Sequence, residues 1–215
     1  MSKFIFSSPR KYVQGSGVLD ELGDYLPDLG GKSFLIADDV VWGIIGDRVQ
    51  KSLKKAGVEF HYERFNGEAS ASEITRLAGI ARDAGTQVVV GLGGGKTLDT
   101  VKAIADELKQ NVVIVPTVAS TDAPCSALSV IYTDEGVFES YRFYNKNPDL
   151  VLVDTHVCAQ APVRLFASGI ADGLATFVEA QAVLRSHSQS MVGGDPTIAG
   201  MAIALIATIL GPDAG

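Results

Sequence analysis

The chain has 215 residues, of which 47% are hydrophobic, and its formal net charge is −7. This composition predicts a sizeable buried core and excludes an intrinsically disordered chain. The acidic balance, with no dense block of Lys and Arg, argues against a nucleic-acid partner, because binding to a phosphate backbone requires a basic surface.

The first half of the chain alternates apolar strand patterns with amphipathic helix patterns. Strands are predicted at 33–37, 58–62, 87–90 and 112–115, and helices at 47–56, 71–84 and 97–108. Because the strands are continuously apolar, they indicate a parallel sheet covered by helices on both faces. Further on, 130–133 and 137–143 predict an antiparallel hairpin, and 150–153 predicts a return to strand.

The pattern changes near residue 160. Residues 162–185 predict a long helix, 186–196 a polar loop, and 197–210 another helix. We therefore expect an α/β domain over residues 1–160 and the start of an all-α domain over residues 161–215.

A glycine run at the end of the third strand is the strongest functional signal. Gly93, Gly94 and Gly95 precede Lys96 and an amphipathic helix. Such a run lets the backbone approach an anion, and the helix directs its free N–H groups to the same place. A Walker A loop would need glycine where Val90 stands, and a Rossmann fingerprint would need it at position 96. We predict a Rossmann-like phosphate-binding loop of another design; the alternative is a tight turn without a ligand.

Polar side chains also follow other strands, where α/β sheets bind ligands. Asp38 is either a ribose ligand that would favour NAD over NADP or a loop cap, and the adjacent Asp39 leaves open which aspartate serves. The hydroxyl-rich segment 116–129 surrounds Asp122 and predicts ligand binding, although Ser and Thr also serve turns. Lys96 is either a phosphate or ribose contact or a solvated lysine.

One carboxylate interrupts an apolar helical pattern. Asp172 is costly there unless it is paired, capped or bound to a cation. His61, His156 and His187 lack the spacing of zinc ligands and suit surface or core positions better.

Cysteine usage and the termini bear on location. The chain has two cysteines, its N-terminal residues lack the apolar core of a signal peptide, and the apolar run 198–210 is too short to span a bilayer. We expect a soluble protein in a reducing cytoplasm, with no membrane partner.

Three motifs, in this order, resemble the glycerol dehydrogenases of the iron-containing (group III) alcohol dehydrogenase superfamily. They are Gly93-Gly-Gly-Lys-Thr-Leu-Asp99, Pro116-Thr-x-x-Ser-Thr-Asp-Ala-Pro-Cys-Ser-Ala127 and Ile170-Ala-Asp-Gly173. The resemblance runs from about Pro9 to Leu210. It implies an N-terminal α/β domain that binds NAD, a C-terminal helical domain that helps to hold a divalent metal, usually zinc, and glycerol or a related small polyol in the cleft between them.

The resemblance also implies residue roles. Asp122 matches the residue that binds glycerol, and Asp172 matches the aspartate ligand of the metal. The residues that match NAD contacts are Asp38, Gly94, Gly95, Lys96, Thr117, Ser120, Ser126, Leu128 and Tyr132. The implied reaction is the oxidation of glycerol to dihydroxyacetone with reduction of NAD, assisted by the metal.

The sequence departs from the family downstream. Family members supply two metal-binding histidines from the helical domain, and this sequence reaches Gly215 before either. We therefore expect either a truncated dehydrogenase or a non-catalytic NAD-binding fragment. Unpartnered apolar helix faces between Phe166 and Leu210 would drive association, so a homo-oligomer is expected.

Three other functions stay open. A glycerol-1-phosphate dehydrogenase or a lyase of the dehydroquinate synthase type would need additional basic residues for a substrate phosphate. A P-loop kinase is disfavoured by the failed Walker spacing.

Overall fold

The computed structural model describes residues 7–186. Its helices are α1 (Leu22–Tyr25), α2 (Asp39–Lys55), α3 (Ala71–Asp83), α4 (Gly95–Leu108), α5 (Thr155–Ala159) and α6 (Val163–Ser186). Its strands are β1 (Tyr12–Gly15), β2 (Lys32–Ala37), β3 (Glu59–Arg64), β4 (Val88–Gly93), β5 (Asn111–Pro116), β6 (Leu128–Tyr132), β7 (Phe138–Phe143) and β8 (Leu150–Asp154). Two 3-10 turns span Val18–Glu21 and Ala123–Cys125.

Six strands form one parallel sheet in the order β1-β8-β5-β4-β2-β3. The two remaining strands, β6 and β7, form a separate antiparallel hairpin. The α/β fold with a parallel sheet, expected from the sequence, is confirmed.

The core lies on both faces of this sheet. One face packs against α1 and α2 through residues such as Leu22, Val49 and Leu53. The other packs against α3 and α4 through residues such as Leu77 and Ile104. The chain therefore leaves β2 toward one face and β4 toward the other, although the two strands are neighbours. This divergence opens a crevice at their carboxyl ends, where open α/β sheets bind ligands.

Close backbone packing explains one glycine of β4. A Cβ on Gly91 would lie 2.5 Å from Cγ2 of Val101 in α4. Gly91 therefore lets α4 pack directly on its own strand, which brings the start of the helix close to the end of β4.

Three of the differences from the expected elements have an identifiable physical cause. Helix α2 begins eight residues before the predicted start, because the Asp38 side chain accepts a hydrogen bond from the Val41 N–H and caps it there. Strand β1 was not predicted, since its four residues gain strand structure only by pairing with β8, more than a hundred residues away in sequence. The short helix α5 was also missed, and Asp154 caps it.

The predicted hairpin and the long helix near residue 160 are confirmed as β6–β7 and α6. The predicted helix at 197–210, all but the first residue of the loop before it, and His187 lie outside the described residues. The proposed domain boundary near residue 160 stays a prediction. No helix within residues 7–186 combines the length and the apolar character needed to cross a membrane.

Candidate functional site

A cleft of about 420 Å³ opens at the carboxyl ends of β2 and β4. Its lining includes four residues predicted to bind a coenzyme, which are Asp38, Gly94, Thr117 and Ser120. Apolar side chains from α2 and from residues 157–165 form its walls. Both the volume and the lining, mostly apolar with a few converging polar groups, are typical of a small-molecule site.

Gly94 and Gly95 form the floor where the anion is expected. A Cβ would lie 3.5 Å from Val118 Cγ2 at Gly94 and 3.4 Å from Thr121 Cγ2 at Gly95, so the fold itself has room for alanine at both positions. Neither residue has a positive φ. Because neither packing nor conformation requires glycine here, the open space suits a ligand that approaches the backbone closely.

The start of α4 faces the same space. Gly94 is the N-cap of this 14-residue helix, no side chain among the described residues caps it, and its first turn carries no acidic residue. The unpaired N–H groups and the positive end of the helix dipole therefore favour an anion at this position.

The two adjacent aspartates after β2 have different partners. Asp38 lines the cleft and caps α2, with its Oδ1 atom 2.8 Å from the Val41 N–H. Asp39 is paired instead with Arg64, at 2.9 Å. A capping role and a ligand role of Asp38 are compatible, because the hydrogen bond from Val41 uses only one of the two carboxylate oxygens of a residue that lines the cleft.

Lys96 is not one of the residues that line the cleft in the described part of the chain. Its Nζ atom lies 2.6 Å from a carboxylate oxygen of Glu68 and 5.2 Å from the centre of the Tyr132 ring. The lysine is half-exposed, so it can reorient toward a ligand at modest cost. The sequence analysis did not predict Glu68 as the ion-pair partner of Lys96.

Ser126 follows the 3-10 turn and Leu128 is the first residue of β6, and a buried lysine holds the segment that contains both. Lys102 Nζ lies 2.5 Å from the Leu128 carbonyl oxygen and 3.2 Å from Ser126 Oγ. It also pairs with Asp99 at 2.9 Å. Burial lowers the pKa of Lys102 and raises the pKa of Asp99, while the attraction between the two charges opposes both shifts.

Asp122 and Asp172 come together across the site. The backbone N–H of Asp122 donates a hydrogen bond of 3.0 Å to the carboxylate of Asp172 in α6. Gly169 permits this approach, since a Cβ there would overlap the carbonyl oxygen of Ala119. Partial desolvation and the negative charge of Asp172 raise the pKa of Asp122, and Lys102 opposes them.

A family model described as iron-containing alcohol dehydrogenase matches residues 9–155 of the chain. The chain belongs to the iron-containing alcohol dehydrogenases. Within this family, it is 52% identical over 190 residues to a glycerol dehydrogenase of Pseudomonas putida, an alignment that covers 88% of this chain and 52% of that protein. It is 49% identical over 200 residues to a glycolaldehyde reductase of Halobacterium salinarum, covering 93% of this chain and 55% of that protein.

The fold of this iron-containing alcohol dehydrogenase chain is similar to a solved structure. A probable glycerol dehydrogenase from Sinorhizobium meliloti superposes with a TM-score of 0.87 at 39% identity, over 97% of this chain and 57% of that one. The chain thus spans about half the length of the relatives that it matches.

The family name implies a metal, and the described residues test that implication. Between residues 7 and 186, no group of three or more His, Cys, Asp or Glu side chains could hold a metal ion. Asp172 is half-buried and already accepts the Asp122 N–H. Catalytic zinc takes three protein ligands, so residues 7–186 do not form a metal site by themselves.

A larger cavity, of about 540 Å³, lies next to the first in this iron-containing alcohol dehydrogenase chain. Its walls come from β1, the end of β8, α5 and the start of α6, including Tyr12, Cys158 and Phe166. None of the residues that the sequence predicts to bind coenzyme, polyol or metal lines this cavity. The cleft at the glycine loop therefore remains the candidate coenzyme site.

Proposed function

We propose that this chain is the NAD-binding part of a dehydrogenase that oxidises glycerol to dihydroxyacetone with divalent-metal assistance. The observation that carries the proposal is the convergence of Asp38, Gly94, Thr117 and Ser120 on one cleft beside the uncapped start of α4. The similarity to a glycerol dehydrogenase of Pseudomonas putida supports the choice of substrate.

The coenzyme would lie across the carboxyl ends of β2 and β4. Asp38 would accept hydrogen bonds from the adenosine ribose, and its charge would repel the 2′-phosphate of NADP. Gly94, Gly95 and the first turn of α4 would bind the pyrophosphate, with Lys96 turning from Glu68 toward it. The hydroxyls of Thr117, Ser120 and Ser126, with Leu128 and Tyr132, would hold the remainder.

Asp122 would bind the polyol. Its carboxylate is an acceptor for hydroxyl groups, and it lies within the hydroxyl-rich segment 116–129, of which Thr117 and Ser120 line the cleft. Oxidation removes a hydride from the central carbon of glycerol and a proton from its hydroxyl, and NAD supplies the hydride acceptor. The part of the chain described here contributes placement of the two reactants relative to each other.

We propose Asp172 as one ligand of a divalent metal, zinc in the first instance. Its other ligands would come from outside residues 7–186. Such a metal supplies Lewis-acid stabilisation of a polyol oxygen. In the proposed division into a domain at 1–160 and the start of a helical domain at 161–215, Asp122 would belong to the first domain and Asp172 to the second.

We also propose a cytoplasmic homo-oligomer. Both Cys125 and Cys158 are free thiols, as expected in a reducing compartment. In α6, Phe166, Ile170 and Leu174 share one side at four-residue spacing and are each about half exposed, which suits association.

A second candidate function is the reduction of glycolaldehyde, in which the hydride would move from NADH to the substrate. The relative of Halobacterium salinarum named glycolaldehyde reductase is 49% identical to this chain. Both reactions interconvert a small hydroxylated alcohol and its carbonyl form, so the same site would serve both. A phosphorylated substrate is disfavoured. Lys102, whose positive charge opposes the rise in the Asp122 pKa, is buried and paired with Asp99, so it is not available to bind a substrate phosphate.

The test follows NADH absorbance and NADH binding on the purified protein, with its intact mass measured. We expect NADH formation with glycerol, a weaker response with NADP, loss of activity with a chelator and its return with zinc. Glycerol 1-phosphate should be inert. Binding of NADH without turnover would identify the chain as an NAD-binding fragment, and absence of NADH binding would contradict the proposal.

A further inference from the structure

Lys102 is a cation buried beside the proposed coenzyme loop. Its side chain is only 2% exposed, although lysine is almost never buried without a partner. The Nζ atom lies 2.9 Å from the Ala123 carbonyl oxygen, 2.5 Å from the Leu128 carbonyl oxygen and 2.9 Å from Asp99. The ammonium group thus binds the first residue of the 3-10 turn and the first residue of β6, which are the two ends of the segment 123–128.

Asp99 extends the same arrangement to the hairpin. Its Oδ2 atom accepts the N–H of Val130 at 3.0 Å, and its backbone carbonyl accepts the hydroxyl of Ser129 at 2.8 Å. Residues 99 and 102 are one turn apart on α4, so the helix that begins at the glycine loop also holds the loop and hairpin that follow β5. One rigid element therefore fixes both halves of the proposed coenzyme site.

A buried ion pair is a poor source of stability, because desolvation of two charges offsets their attraction. Apolar side chains at both positions would fill the same volume without that penalty. The loop carbonyls of Ala123 and Leu128, however, would then lose their donor, and the loop would have several accessible conformations.

We propose that Lys102 is a positioning residue that holds the loop 123–128 in the conformation that binds the nicotinamide half of NAD. The proposal rests on the function proposed above, since it concerns the placement of Ser126 and Leu128. Coenzyme binds only to the fraction of molecules with a correctly placed loop, so releasing the loop weakens binding by that fraction.

The adenosine half of NAD provides an internal control for the binding measurement. The cleft at Asp38 is lined by α2, by Gly94, by the residues directly after β5 and by the segment 157–165, and Lys102 does not contribute to that lining. Releasing the loop 123–128 should therefore weaken NADH and leave AMP unaffected.

The main variant is the double substitution Asp99→Asn with Lys102→Met. It removes both buried charges together, retains an acceptor for the Val130 N–H, and leaves no unpaired charge in the core. The matched control is Lys109→Met, which breaks another Asp–Lys pair at the same i,i+3 spacing; Lys109 is the C-cap residue of α4, and its side chain is 77% exposed.

We expect about tenfold weaker NADH binding for the double variant, from a loop that is in place about one tenth of the time. AMP affinity should stay within about twofold, and the enhanced fluorescence of bound nicotinamide should fall. Lys109→Met should match the wild type in all three. A folded double variant with wild-type NADH affinity and fluorescence would overturn the role of Lys102, whereas a wild type that binds neither ligand would overturn the proposed function instead.

Hydrogen exchange on the wild type decides the matter if the double variant does not fold. The Cys125 and Ser126 amides donate to the carbonyls of Asp122 and Ala123. If Lys102 holds the loop, these amides are protected before NADH is added, and NADH adds little. Rapid exchange of both amides in the ligand-free protein would contradict the proposal.

Discussion

The backbone N–H of Asp122 donates a hydrogen bond to the carboxylate of Asp172, and this bond of 3.0 Å joins the loop after β5 to α6. The two residues are separated by fifty positions in sequence. The two residues proposed to bind the polyol and the metal are therefore neighbours in the fold. The contact uses the backbone of Asp122, which leaves its carboxylate available to a substrate.

Asp122→Ala should separate substrate binding from coenzyme binding. The hydrogen bond to Asp172 comes from the backbone and persists, so the loop keeps its place. We expect kcat/KM for glycerol to fall by roughly a hundredfold or more, while the Kd of NADH changes by less than about twofold. Asp83→Ala, at an exposed aspartate that ends α3 at the opposite edge of the sheet, is the control. Equal loss of both properties would contradict the role of Asp122.

Gly94→Ala should reduce coenzyme affinity without unfolding the protein. The added methyl group has room in the fold but projects into the space proposed for the pyrophosphate. We expect at least about tenfold weaker NADH binding and a stability within about 1 kcal/mol of the wild type. Gly79→Ala on α3, where nothing lies within 4 Å of the new Cβ, should leave binding unchanged. Wild-type NADH affinity in Gly94→Ala would remove the glycine loop from the site.

Asp38→Asn should shift the coenzyme preference toward NADP. The amide oxygen can still cap α2, but the negative charge that repels a 2′-phosphate is gone. We expect the ratio of NAD to NADP efficiency to fall by about tenfold or more. Asp39→Asn removes an adjacent charge that is paired with Arg64 and should leave the ratio unchanged. A change confined to Asp39→Asn would assign the ribose role to that residue instead.

Gly169→Ala and Gly173→Ala form a matched pair on α6. A Cβ at Gly169 overlaps the Ala119 carbonyl oxygen, whereas a Cβ at Gly173 meets nothing within 4 Å. Thermal unfolding should show that Gly169→Ala costs about 1–3 kcal/mol and Gly173→Ala stabilises by about 0.5–1 kcal/mol. Glycerol turnover should fall in Gly169→Ala alone, since α6 carries Asp172. Similar effects at both positions would show that α6 does not pack closely on the loop.

Asp154 should make stability depend on pH in the acid range. Burial raises its pKa, but hydrogen bonds from the Gly17 N–H, Arg48 and the Leu19 N–H outweigh burial and hold the pKa below its usual value. A carboxyl with a lowered folded-state pKa stabilises the protein above the ordinary Asp pKa of about 3.9, and that contribution is lost as pH falls through the folded-state value.

Urea unfolding at neutral and acid pH measures this contribution. We expect Asp154→Asn to cost about 2–4 kcal/mol near pH 7, with the difference from wild type shrinking as the pH falls below the ordinary Asp pKa of about 3.9. Asp20→Asn removes the other, more exposed partner of Arg48 and should cost less than about 1 kcal/mol. A difference that stays constant with pH would show that the Asp154 charge is not what stabilises the fold.

Sequence pattern alone determined the α/β class and the position of the glycine loop. Both depend on local regularities, because apolar runs, helical periodicity and a run of glycines act within a few residues of one another. The resemblance to the glycerol dehydrogenases added roles for Asp122 and Asp172. The sequence could not reveal β1, whose strand structure depends on pairing with β8, or the early start of α2.

Only the tertiary structure decided which polar residues act together. The divergence of the chain after β2 and β4 placed Asp38 beside Gly94, and Gly169 allowed α6 to bring Asp172 to Asp122. Asp99 and Lys102 are an ordinary charged pair in the sequence, and they become a buried pair holding a loop only once β6 packs on α4. Burial and the direction of a side chain depend on contacts distant in sequence, and local pattern does not encode them.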